Sequence, residues 1–257
     1  MDLKQKLDLP EIETPFLRAD WNAPSHVKTL ISTRQGGVSE GVYASLNVGN
    51  HVGDAAEHVA RNREIVQTHI GVPVAYLKQT HSTIVVQASD SVASELNADA
   101  SVNADGTAAC AVMTADCLPV LFCDKAGTVV AAAHAGWRGL AGGILQNTVA
   151  AMNVPSAEIL AYLGPAIGAE AFEVGEDVRQ AFIAQNDAAA SAFTAIGEHD
   201  GQTKYLADIY QLARLALQAV GVVNITGGEH CTVLEREHFF SYRRDGQTGR
   251  MVSAIWL

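Results

Sequence analysis

Between residues 108 and 137 the chain is apolar almost without interruption: "AACAVMTADCLPVLFCD" is followed, after a short link, by "GTVVAAAHAGW". Runs this long, rich in small and branched side chains, predict two strands buried on both faces. Lys125, Ala126 and Gly127 supply the turn expected between them. Residues 27–54 read as an apolar strand followed by a loop punctuated by Gly-Gly, serine and asparagine. From Asp54 the spacing of Val59, Ile65, Val66 and Ile70 predicts a helix. Asp54 is its expected N-cap, Glu57 completes a capping box and Gly71 is the stop. "VAYLKQTHSTIVVQAS" alternates and predicts one strand. "GLAGGILQNTVAAMNV" predicts a helix with a glycine-rich start, and "EILAYLGPAIGAEAFEVG" a strand, a Gly-Pro turn and a second short strand. "GEDVRQAFIAQN" and "DIYQLARLALQAVGV" predict amphipathic helices, the second ended by Gly221, and the tail from Phe239 predicts a loop and a terminal strand.

Strands and helices mix here without strict βαβ alternation, so the expected class is α+β, a layered α/β arrangement of mixed sheets covered by helices. No linker, repeat or low-complexity stretch marks a boundary. We therefore expect one domain over residues 1–257, with 1–26 as a lead-in.

Composition narrows the function. Hydrophobic residues make up 48% of the chain and the formal charge is −11. An acidic surface repels phosphate backbones, which argues against nucleic acid as a partner. A small anionic substrate remains compatible, because a few clustered arginines reverse the local field. Cys110, Cys117, Cys123 and Cys231 form no CxxC pair, so disulfide scaffolding is not expected. The N-terminal stretch has no apolar core of a secretory signal, and no run of about 18 apolar residues predicts a membrane span. The expected setting is cytoplasmic, as a monomer or small homo-oligomer.

The apolar runs nevertheless carry Asp116, Cys117 and His134. His81, Cys117 and His134, spaced 36 and then 17 residues apart, would give zinc three ligands and leave a fourth position open. The spacing matches no local metal motif, and three unrelated half-buried residues would look the same. A second reading makes Cys117 a nucleophile with His134 as its base and Asp116 or Asp105 orienting it. A third is copper oxidase chemistry, since blue-copper sites take two histidines and a cysteine. Multicopper oxidases, however, commonly use His-x-His pairs, and the nine histidines of this sequence form none.

Arginines beside glycines offer anion capture, because glycine lets the backbone approach. Arg34 lies in "STRQGG", Arg138 in "HAGWRG", Arg243 and Arg244 in "SYRRDG", and Arg250 in "TGR"; Arg63 lies in "RNRE". Trp137, next to Arg138, offers a stacking surface for a planar base or a core aromatic.

Taken in order, "TRQGGVSEGVYASLNVGNHVGD", "KQTHS", "TADCLPVLFCD", "AAHAGWRGL", "LGPAIG…FEVG" and "CT…FFSYRRDGQTGR" closely resemble the YfiH family. These are bacterial relatives of the human macrophage protein FAMIN, often labelled polyphenol oxidase or laccase-domain proteins. The likeness runs from about Ile31 to the C-terminus, residues 31–257. It implies that His81, Cys117 and His134 are zinc ligands, with copper as the alternative metal. It also implies a layered fold likened to the catalytic domain of cytotoxic necrotizing factor. The implied activity is phosphorolysis of adenosine, inosine, guanosine and methylthioadenosine, with deamination of adenosine. Some members are instead implicated in peptidoglycan-precursor editing, removing L-serine from UDP-MurNAc. On this reading the substrate contacts are sought among Arg34, Asn47, Arg63, Gln79, Arg138 and Arg244. Asp105, Asp116 or Glu173 would be the acid or base, and the sequence does not choose among them.

Overall fold

Strands that are apolar on both faces need cover on both sides, and the chain supplies it with two stacked sheets and two outer helical layers. The computed structural model describes residues 14–257; the first part of the predicted lead-in lies outside the described residues. In chain order the strands are β1 (Phe16–Leu17), β2 (Lys28–Ser32), β3 (Val74–Ala75), β4 (Leu77–Lys78), β5 (Val85–Gln87), β6 (Leu96–Asn97), β7 (Ala100–Asn103) and β8 (Ala109–Thr114). They continue with β9 (Leu118–Asp124), β10 (Val130–Ala135), β11 (Ile159–Leu163), β12 (Glu173–Gly175), β13 (Phe193–His199), β14 (Gln202–Ala207), β15 (Asn224–Gly227) and β16 (Met251–Trp256). The helices are α1 (Ala56–Ile70), α2 (Trp137–Gly142), α3 (Ile144–Ala151), α4 (Glu176–Ile183), α5 (Ile209–Ala219) and the single turn α6 (Tyr242–Asp245).

One sheet has the order β1-β2-β16-β8-β3 and the other β15-β11-β9-β10-β7-β5. Between them Ile31, Val112 and Ile255 meet Leu121, Val130, Ala132 and Leu160. On the outer face of the six-stranded sheet Val120, Phe122, Ala131 and Ala133 pack under Leu140, Ile144, Leu145, Leu212 and Leu217 of α2, α3 and α5. On the outer face of the other sheet Leu30, Ala111, Met113 and Val252 pack under Val66 and Ile70 of α1. Successive residues of β9 thus serve opposite cores, which is why the run shows no alternation. The mixed α+β layering is as the sequence predicts. Among the described residues no helix is long and apolar enough to cross a membrane.

Four expectations need correction. The predicted strand 108–124 is two strands in different sheets, because Asp116 takes a left-handed backbone (φ 95°) and turns the chain out of one sheet into the other. The predicted strand 74–89 is likewise three short ones, β3, β4 and β5, interrupted at His81 (φ 60°). The helix predicted after Gly139 breaks at Gly143, whose φ of 99° separates α2 from α3. Asp54 does not cap α1: no side chain caps that helix, and the carboxylate instead accepts from Ser39 Oγ (2.6 Å) and Asn47 Nδ2 (2.8 Å), tying down the preceding loop. The β13–β14 hairpin was not anticipated; β13 is almost wholly exposed and carries little apolar signal.

Candidate metal centre and active site

β9 and β10 pair antiparallel, with His134 opposite Pro119 and Ala135 opposite Leu118. Cys117, one residue before Leu118, therefore stands at the same end of the sheet as His134. The 79–84 segment brings His81 to the same point. The ligand atoms of the three side chains lie within 4.8 Å of one another. Cys117 Sγ and His81 Nε2 are 3.7 Å apart, close to the roughly 3.5 Å that a shared tetrahedral zinc sets between its sulfur and nitrogen ligands. The His81 and His134 rings meet edge to face at 4.9 Å. A Cβ at Gly136 would come within 2.7 Å of His81 and 2.9 Å of Cys117 Sγ, so only glycine fits beside the ligands.

Asp99 organises the group, and sequence reasoning missed it. It is fully buried. Its Oδ1 accepts from His134 Nδ1 (2.8 Å) and the His81 amide (3.0 Å); its Oδ2 accepts from the Ser82 amide (2.6 Å), Ser82 Oγ (2.7 Å) and the Thr80 amide (3.2 Å). One carboxylate thus holds the left-handed turn at His81 and fixes His134 with Nδ1 protonated, leaving Nε2 to face the thiol. Burial alone would raise the Asp99 carboxyl, but the bonds from His134 and Ser82 hold it well below the usual carboxylate range. Burial would also raise the Cys117 thiol. The His134 charge and the bonds from both histidines outweigh this and bring it down to about 6. His134 moves the other way: burial lowers it, while Cys117 and Asp99 push it up to about 9.

The three candidate ligands line a cleft of about 400 Å³ with His51, Gln79, Met113, Thr114, Ala115, Tyr242 and Arg250. His51 and Tyr242 are among the cleft residues that the sequence did not single out. Arg250 was visible as a glycine-flanked arginine, but nothing local distinguished it from the others. Burial lowers its pKa, while Cys117 and Asp116 are among the charges that raise it, which places its guanidinium in their electrostatic reach.

The other sequence-selected residues fall as follows. Gln79 lines the cleft, and its amide pairs with the Met113 backbone, donating to O and accepting from N at 2.8 Å each. Asn47 is buried behind it and its Oδ1 accepts from the Arg250 amide at 2.8 Å. Asp116 is buried with one oxygen accepting from Thr232 Oγ1 and the other from the Arg243 amide, both at 2.6 Å. Arg34 and Arg244 line a separate cleft with Arg236, and their guanidiniums donate to the carbonyls of Ala44, Arg236, Thr232, Val233 and Phe239. Arg63 binds Glu95 and the Val48 carbonyl and stacks 4.0 Å from the Tyr76 centroid. Arg138 stacks on Trp137 at 4.4 Å, and the partly buried Trp137 packs on the core, which removes it as a base platform. The structure does not bring Asp105 or Glu173 to the cleft. Asp105 caps its own turn beyond Asn103, and Asn103 pairs with Val130, four residues and roughly 13 Å along β10 from His134. Glu173 is exposed on β12.

A layered α+β fold with a His/Cys/His group open to a cleft defines a protein built around one candidate three-ligand metal centre. The chain belongs to the family described as multi-copper polyphenol oxidoreductase laccase, which matches residues 28–257, and within it to the YfiH proteins. It is 52% identical to the purine nucleoside phosphorylase YfiH of Escherichia coli over 92% of this chain and 96% of that one. It is 48% identical to a purine nucleoside phosphorylase of Pseudomonas aeruginosa, over 94% and 98% of the two chains. Among solved structures, a Neisseria meningitidis protein superposes with a TM-score of 0.92 at 65% identity, covering 95% of this chain and 99% of that one.

Proposed function

We propose that this protein is a zinc-dependent purine nucleoside phosphorylase that also deaminates adenosine, acting on adenosine, inosine, guanosine and methylthioadenosine. The convergence of His81, Cys117 and His134 on one open point carries the reading, and the names of its relatives support the substrate class. The donor set suits zinc: two imidazole nitrogens and a thiol already lowered toward thiolate, with Asp99 behind one imidazole. His81, Cys117 and His134 would hold the zinc ion, which when bound would supply Lewis acidity. Arg250 is the arginine that lines this cleft and is the candidate to compensate an anionic phosphate, although its Nη1 also donates to the Thr248 and Gly249 carbonyls; Arg34 and Arg244 line a separate cleft, and Arg63 pairs with Glu95. His51, with its pKa lowered by burial and by Arg250, lines the same cleft.

The donor set speaks against multicopper chemistry. Among the described residues one group of three or more ligand side chains converges. Met113, the thioether a blue-copper site would use axially, lines the cleft, but its sulfur accepts from Arg63 at 3.7 Å.

The test is direct. Purified protein given adenosine or inosine with phosphate should release free base and ribose 1-phosphate, and adenosine should also yield inosine. Cys117→Ala should lose bound metal and turnover together. Neither product from metal-replete protein would end the reading. The Cys117–His134–Asp99 line favours one alternative, an amidase removing L-serine from UDP-MurNAc with Cys117 as nucleophile. Hydrolysis of that conjugate surviving complete chelation would select it.

A further inference from the structure

The cleft contains an aromatic ring that the fold does not use. Tyr242 is 62% exposed, yet it lines the same cleft as the three ligands. Among the described residues its hydroxyl has no hydrogen-bond partner. Its backbone, by contrast, is fixed from several directions. Ser241 Oγ accepts from the Arg244 amide at 3.2 Å, and Asp116 Oδ2 accepts from the Arg243 amide at 2.6 Å. The Arg243 guanidinium donates to the carbonyls of Ala171 and Glu173 and lies 5.8 Å from the Phe172 centroid. The residues on either side of Tyr242 are thus anchored, one of them to the neighbour of Cys117, while its own ring is left to the solvent of the cleft. An exposed aromatic costs a protein apolar hydration, and a rigid backbone beneath it lowers the entropy lost when a planar ligand settles on the ring. Trp137, the aromatic that the sequence offered for this role, is already covered by Arg138.

We infer that Tyr242 is the stacking platform of the substrate site: the planar heterocycle of the substrate lies against its ring, in the cleft that the three candidate ligands line. This rests on the nucleoside reading above and adds how the base is recognised. A ring face does not distinguish amino from oxo substituents, so this contact selects flat heterocycles over sugars or peptides without choosing among purines.

The test uses metal-replete full-length protein with Tyr242→Phe, Tyr242→Leu and Tyr242→Ala, and two readouts. The first is quenching of 2-aminopurine riboside fluorescence, which reports stacking and needs no turnover. The second is the Michaelis constant for adenosine set against that for phosphate. Wild type and the Phe variant should quench with affinities within about twofold of each other. The Leu and Ala variants should bind about tenfold or more weakly. The Michaelis constant for adenosine should rise in parallel, with that for phosphate nearly unchanged. Because the side chain is exposed, the substitutions leave the core intact, and Leu separates aromatic stacking from simple apolar contact. Binding by the Leu or Ala variant within twofold of wild type overturns the platform, and if wild type still releases base, the phosphorylase reading survives. Tyr242-dependent quenching without phosphorolysis gives the converse. Wild-type protein that neither quenches nor turns over refutes both.

Discussion

Asp99, His134 and Cys117 form a line of alternating charge in the metal-free protein: carboxylate, imidazolium, thiolate. The thiol of Cys117 is brought down to about 6 because the neighbouring imidazolium outweighs the cost of burial. Alkylation of chelated protein by iodoacetamide should therefore show a midpoint near pH 6, against 9.0 for an ordinary thiol. Asp99→Asn should move that midpoint upward, since the imidazolium loses its carboxylate. Cys110 and Cys123 do not confuse the measurement, because burial pushes both thiols up to about 12. Added zinc should protect Cys117. Of the three candidate ligands, Cys117 and His134 stood out at the ends of apolar runs, but the residues alone left a metal site and three unrelated positions equally open, and the family resemblance joined them to His81. Asp99 was not legible, since "NADAS" reads as a turn. Its role exists only once Ala100 pairs with Ala133 and sets its carboxylate behind His134.

At the scale of elements, the turn between β9 and β10 fixes the register that brings Cys117 beside His134. Asp124 builds that turn, accepting from the Thr128 amide (2.6 Å), the Val129 amide (3.0 Å) and Thr128 Oγ1 (2.8 Å). Burial would raise its pKa, but the bonds from Val129 and Thr128 prevail and lower it. A carboxyl depressed in the folded state stabilises the protein above its unfolded pKa. That contribution is lost as pH falls through the folded value, so it fades in acid. Asp124→Ala should cost roughly 1–3 kcal/mol at neutral pH, read as a lower melting temperature, and the gap from wild type should narrow toward pH 3. The buried strands and amphipathic helices were legible from apolar pattern alone. The breaks within them were not, because His81 and Asp116 hold left-handed backbone through tertiary hydrogen bonds: the His81 amide donates to Asp99, and Asp116 accepts from Thr232 and Arg243.

For the whole molecule, a metal bound by the three candidate ligands, which come from three segments that the unfolded chain does not hold together, would stabilise the fold by mass action. At free zinc one hundred times its dissociation constant the gain is about 2.7 kcal/mol. Chelation should lower the melting temperature by several degrees, and Cys117→Ala should melt at the same temperature with or without zinc. The paired sheets follow from the same requirement for cover, and one feature of their order reaches further. In the five-stranded sheet β16 lies between β2 and β8, pairing antiparallel with both. A nascent chain emerging up to residue 250 already carries all three ligands and Asp99, but it lacks the strand that joins the two halves of that sheet. The ligands are synthesised early, whereas the sheet behind Met113, and with it the wall of the cleft, closes only when residues 251–256 arrive.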